Sequence, residues 1–279
     1  MTPRRVLLTA GGVVAATALT LFFTYLLIPS RELEGVVTRL LAREGYTFRA
    51  ARFGKAFPFG VSAGGVTIAG ARGDLLRLDR ATARLSLLSL LAGRVTVPFA
   101  AEIGAGRIRG EVSPRSGASR VTITGVRLQD VPFFRSVADA DAKGLLTAEI
   151  TVRGSGPAAA GSLKLEVKGA DLRGVKIGET PLPDAGYDTV RGMIRLGGGR
   201  AAIDSFTLQG SELYVRLKGE FPLTTPVGAA PLNLTLELMP KPGLLDRQKL
   251  VFALLTKYLV TPGHYQMPIR GVLAKPLLQ

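Results

Sequence analysis

The sequence predicts a mainly β protein: an N-terminal transmembrane helix followed by a large curled antiparallel β-sheet with a few short helices. Three observations predict it. Residues 6–28 run without a single charge. From Tyr46 onward apolar residues recur at every second position, the period of a strand with one face buried and one wet. The chain has no cysteine, so burial and backbone pairing alone must hold the body together.

The uncharged run is 23 residues long. At about 1.5 Å per residue it reaches roughly 35 Å, enough to cross a hydrocarbon core of about 30 Å with some tilt. Val6, Leu7, Leu8, Val13, Val14, Leu19, Leu21, Phe22, Phe23, Tyr25, Leu26, Leu27 and Ile28 supply its apolar surface. A secretory signal has a shorter apolar region followed by small residues. Here the small residues Ala15, Ala16 and Ala18 lie inside the run, and bulky ones end it. The run therefore reads as an uncleaved anchor. Arg4 and Arg5 before it favour a cytoplasmic N-terminus. The expected organisation is a cytoplasmic tip (1–5), an anchor (6–28), a linker helix (29–45) and a β-rich domain (46–279) in the periplasm of a two-membrane cell.

Composition narrows the function classes. One histidine, His264, beside Pro262 and Gly263, reads as a loop residue. It leaves no Ser-His-Asp triad or histidine metal cluster to build on. No G-x-S-x-G motif is present, and the expectation is a non-enzymatic protein without a cofactor. The net charge of +15 suits nucleic acid or an anionic membrane. The anchor and the absence of any nucleic-acid-binding motif argue against nucleic acid. Solvated strand faces and attraction to lipid headgroups both account for the dispersed basic residues.

Residues 30–45 predict a short helix with Ser30 as N-cap, Leu33, Val36, Val37, Leu40 and Leu41 as its stripe, and Gly45 as its stop. Ala81, Ala83, Leu85 and Leu87 then alternate on one face. A Leu-rich helical turn leads to Val95, Val97 and Phe99, in a strand that Pro98 pushes toward an edge or bulge. Ile108 and Val112, then Val121 and Ile123, continue the alternation. Residues 131–143 break it and suit a short helix closed by Gly144. Asp139 and Asp141 do not share a helix face and lack further oxygen ligands at calcium-loop spacing, so no metal site is expected.

The second half repeats alternating strands ended by Gly or Pro. Ile150 belongs to the first; Leu163, Leu165 and Val167 line the next; Leu213, Val215 and Leu217 follow, then Leu232, Leu234, Leu236 and Leu238. Gly197-Gly198-Gly199 reads as a tight turn between two strands, not a phosphate loop, because no Lys-Ser/Thr and no helix follow it. Residues 243–260 predict a last helix, and residues 266–278 a final strand. So large a sheet must cover its apolar face. Either it folds on itself as a sandwich or barrel, or it forms a trough that accepts something apolar.

Several segments carry a family resemblance: RELEGVVTRLLAREGY after the anchor, FPFGVSAGGVTI, ATARLSLLSLLAGRVTV, and the terminal GHYQMPIRGVLAKPLL. In these the chain resembles the protein N component of bacterial type II secretion, in the longer form similar to AsmA-like envelope proteins. The resemblance implies an inner-membrane protein with a periplasmic β-rich domain, contributing with other type II secretion subunits to the export of folded proteins across the outer membrane. The AsmA-like relatives imply an alternative: a module that binds phospholipid or transfers it between inner and outer membranes.

Overall fold

The computed structural model describes residues 29–43, 45–224 and 227–279. The tip with Arg4 and Arg5 and the anchor expected at 6–28 lie outside the described residues. Among the described residues no helix is long and apolar enough to cross a membrane.

Helix α1 (Ser30–Arg43) opens the described chain. Gly45 ends it as expected, with φ +84°. The Gly45 N–H bonds to the Ala42 carbonyl at 3.0 Å and the Tyr46 N–H to the Leu41 carbonyl at 2.9 Å, satisfying carbonyls that the last turn leaves open. No residue of α1 is fully buried.

The chain then builds one 15-stranded antiparallel sheet. Its first eight strands are β1 (Thr47–Ala56), β2 (Gly60–Gly70), β3 (Gly73–Arg84), β4 (Val97–Ile103), β5 (Gly106–Ser113), β6 (Ala118–Arg127), β7 (Asp141–Arg153) and β8 (Ala160–Arg173). A two-stranded ribbon, β9 (Lys176–Ile177) with β10 (Thr180–Pro181), interrupts the series. The sheet resumes with β11 (Ala185–Gly197), β12 (Arg200–Gln209), β13 (Leu213–Pro222) and β14 (Asn233–Pro240). It ends with β15 (Leu259–Thr261), β16 (His264–Val272) and β17 (Lys275–Leu278). Each strand pairs with its neighbour in sequence, except that β8 passes over the ribbon to pair with β11 and β14 pairs with β16; β15 and β17 both pair with β16. The Gly198 and Gly199 turn has φ of 58° and 75°, the left-handed geometry that a two-residue hairpin needs at both positions.

The sheet is open. Strands β1 and β15 stand at opposite ends of the pairing order. The expected curl does not bring the edges together; the last strands pack against the C-terminal helices. Four further expectations are corrected. Strand β3 ends at Arg84, and Leu87 begins helix α2 (Leu87–Leu91). Ser86 caps that helix, its side chain accepting the Ser89 N–H at 3.4 Å, so the alternation through Leu85 and Leu87 is not a strand. The helix expected over 131–143 is only α3 (Phe133–Ser136), and Gly144 lies within β7 with φ +133°, at a register shift. The last helix is split into α4 (Pro242–Arg247) and α5 (Lys249–Leu254) by Gln248, whose φ −118°, ψ 41° is not helical. A 3-10 turn and β15 take residues 256–261. The final strand is a hairpin, β16 and β17, and His264 opens β16 instead of lying in a loop.

Pro98 interrupts the ladder between β3 and β4 without ending it. On the β3 side the register stops at Ala83 opposite Phe99. On the β5 side Pro98 faces Glu111. Beyond it the Ser86 N–H still donates to the Thr96 carbonyl at 2.9 Å, so the two segments stay side by side past the residue that lacks an N–H.

A candidate functional site on the apolar sheet face

Cross-strand registers align the apolar residues into lanes. One lane runs Phe53, Ala63, Ala81, Ala101, Ile108, Ile123, Ala148, Leu165, Gly192, Phe206, Leu217, Leu236, Met267. Beside it runs a second: Val61, Ala83, Phe99, Gly110, Val121, Ile150, Leu163, Ile194, Ile203, Gly219, Leu234, Ile269. Neither contains a polar side chain. With strands about 4.8 Å apart, a lane crossing the sheet from β1 to β16 extends roughly 55–60 Å.

Burial along the lanes is uneven. Toward the C-terminal end the face is closed. Leu244 of α4, Phe252 of α5, Leu255 and Tyr258 pack with Leu213, Leu238, Tyr265 and Met267 into the larger core. Phe252 and Tyr265 pack as a tilted pair with ring centroids 5.4 Å apart. Full burial of each such side chain stabilises the fold by about 1.5–3 kcal/mol. A smaller core surrounds Val66, Leu78, Ile103 and Val126. Between them the lane residues Phe99, Ile108, Val121, Ile123, Ile150, Leu163 and Leu165 are only half-buried.

Two apolar hollows indent this face. One, of about 350 Å³, lies over β1–β5 and is lined by Val37 of α1 with Phe48, Phe53, Val66, Leu78, Phe99 and Ile108 among others. The second, of about 140 Å³, lies nearer the C-terminal core against Leu172, Leu182, Tyr187, Phe206, Leu217 and Leu236. Burial of the Tyr187 phenol pushes its pKa above the usual tyrosine value.

The opposite face is polar, and several of its charges pair across strands. Arg120 meets Glu111 at 3.6 Å, Arg191 meets Glu166 at 3.2 Å, and Arg200 meets Glu220 at 2.5 Å. Arg195 donates to Asp204 at 2.5 Å, and this hydrogen bond raises the guanidinium pKa further. Glu237, the buried charged residue of the described core, accepts from Lys218. A polar cleft of about 630 Å³ lies near β3 and α3, where Arg77 pairs with Asp74 at 3.2 Å and Arg127 with Asp130 at 2.8 Å. Asp139 pairs with Lys176 at 3.6 Å and Asp141 with Arg135 at 2.9 Å. No metal-holding group of His, Cys, Asp or Glu is found among the described residues.

The expected face residues divide clearly. Ala81, Ala83, Val97, Phe99, Leu163, Leu165, Val167, Leu213, Val215, Leu217, Leu234, Leu236 and Leu238 stand in strands on the apolar face. Leu232 is buried just before β14. Leu85, Leu87 and Val95 lie outside the strands, in the connection that carries α2. Sequence reasoning did not assign Phe53, Ile194, Ile203, Phe206, Met267 or Ile269 to the face; a polar residue beside each, such as Arg52, Arg195, Asp204, Thr207, Gln266 and Arg270, is the signal that could have done so.

No protein-family model, no curated protein and no solved structure matches the chain.

Proposed function

We propose that the protein is a non-enzymatic, inner-membrane-anchored envelope protein whose periplasmic sheet holds phospholipid acyl chains against its apolar face. The single observation that carries this reading is the pair of apolar lanes, unbroken from β1–β2 to β16, with most of their residues over β4–β8 only half-buried. A contiguous apolar surface of that length on a water-facing domain is costly unless something apolar covers it. Photocrosslinking in living cells tests it. A photoreactive residue at Ile150 should give phospholipid adducts, and one at Thr122 on the polar face should not. Equal absence of lipid from both sites would sink the reading.

A second reading is supported by the edge of the sheet and by the segments that resemble the protein N component of type II secretion. Strand β1 pairs with β2 alone, and a terminal strand can accept a strand from another subunit. On this reading the protein contributes to the export of folded proteins across the outer membrane. Deleting the gene should then leave exported proteins in the periplasm with the outer membrane intact. Normal export in the deletion strain would reject the secretion role.

A further inference from the structure

The antiparallel order sends the chain's turns alternately to two opposite ends of the sheet, and the two ends differ in chemistry. At one end lie the connections β1–β2, β3–β4, β5–β6, β7–β8, β11–β12, β13–β14 and β16–β17. Their sequences contain no Asp or Glu. The connections at the other end carry Asp130, Asp139, Glu179, Asp184, Glu212 and Asp246.

At one corner of the carboxylate-free end, bulky apolar side chains project. Phe57, at the tip of the β1–β2 hairpin, is 76% exposed, and Leu88 of α2 is 82% exposed, with Leu87 beside it at 38%. The two segments are held together: the Leu85 N–H donates to the Phe59 carbonyl at 3.0 Å, and Gly60 pairs with Arg84. Arg84, Arg94 and Arg115 stand exposed around this corner, at the end of β3, before β4 and in the β5–β6 turn. Neighbouring strands rotate by roughly 20–25°, so the whole rim cannot lie on one plane, but this corner spans few strands.

We propose that this corner docks on an anionic phospholipid bilayer, with Phe57, Leu87 and Leu88 entering the interface and Arg84, Arg94 and Arg115 engaging the headgroups. Projecting aromatic and leucine side chains ringed by arginine, with no carboxylate in the loops, match a negatively charged apolar boundary. An acidic protein would match the arginines but would not call for three exposed apolar side chains on two adjoining connections. The docking is separate from acyl-chain binding along the lanes, which uses different residues.

The chain contains no tryptophan, so a single introduced indole reports cleanly. Phe57→Trp and Leu88→Trp are placed in the full chain, with Phe133→Trp at the opposite end as the reference. Each protein is reconstituted into nanodiscs, with brominated lipid either in the disc or in added vesicles containing phosphatidylglycerol. The expected result is a blue shift and severalfold stronger quenching at positions 57 and 88 than at 133, from one bilayer or the other. Phosphatidylcholine in place of phosphatidylglycerol, or salt raised to about 1 M, where the Debye length is about 3 Å, should reduce it severalfold. Quenching at 57 and 88 no stronger than at 133 in both arrangements overturns the proposal and leaves the corner to a protein partner. Lipid adducts at Ile150 are read separately, so either reading can fail without the other.

Discussion

Phe99 on β4 stands directly opposite Gly110 on β5, and its ring occupies the space that a side chain at 110 would take. A Cβ on Gly110 would lie 2.6 Å from the Phe99 ring and 2.6 Å from the Arg120 carbonyl oxygen. The same relationship recurs between Phe206 and Gly192, where an added Cβ would lie 2.7 Å from the ring. At these two places an aromatic ring fills the space beside a glycine and keeps the face continuous.

Gly110→Ala should therefore destabilise the fold by about 1–3 kcal/mol, the range for overpacking. Gly197→Ala is the matched reference, because nothing lies within 4 Å of a Cβ there. Equilibrium denaturation of the two variants should separate them; equal midpoints would mean that the ring moves aside without cost.

Gln248 is bound to Asp184 at both ends of its amide. It accepts the Asp184 N–H at 3.0 Å and donates to the Asp184 carbonyl at 2.7 Å. Gln248→Ala should cost about 1–3 kcal/mol for the two bonds. Hydrogen exchange should quicken in the β10–β11 connection, and unchanged protection there would show that the contact does not order it.

Lys218 and Glu237 pair on the polar face, with the carboxylate buried and the lysine half-exposed. Lys218→Met leaves that carboxylate without its cation and should destabilise by about 1–3 kcal/mol, less than for a fully buried pair. Lys218→Met combined with Glu237→Gln should recover most of the loss. A double-mutant cycle measures the coupling.

Tyr187 predicts an alkaline limit. Burial raises its pKa in the folded state above the unfolded value of about 10. Its contribution is complete below that pH. It is lost as the pH rises from there toward the folded value, because the unfolded chain then releases the proton while the folded one retains it. Tyr187→Phe should show a shallower fall in stability above pH about 10, measured by denaturation at stepped pH. Identical slopes would mean that the phenol ionises equally in both states.

Much of the β architecture was legible because it depends on local alternation. Leu163, Leu165 and Val167, or Leu234, Leu236 and Leu238, declare a half-buried strand by spacing alone. The errors fall where partners distant in sequence decide. Residues 243–260 have a helical pattern throughout, but Gln248 is held by Asp184, which no local period reveals. Leu85 and Leu87 continue the alternation of β3, yet the Ser86 cap turns the chain into α2. Glycines at register shifts, such as Gly144, look like stops in sequence and are bulges in space. The lanes required the registers themselves, which a single strand does not encode.

The near-sequential strand order has a consequence for how the chain is made. From β1 to β8, each new strand finds its hydrogen-bonding partner in the strand just synthesised, so short loops close at small entropic cost. Pairing can advance from the N-terminus as the chain is synthesised. The growing edge stays exposed throughout that process, and the lanes lengthen by one residue with every strand added. The C-terminal helices and β16 arrive last, bringing Leu255 and Met267, each with no exposed surface. Assembly would then finish where packing is tightest, so that truncation at the C-terminus removes the seal and leaves a ladder of paired strands with its apolar lanes open.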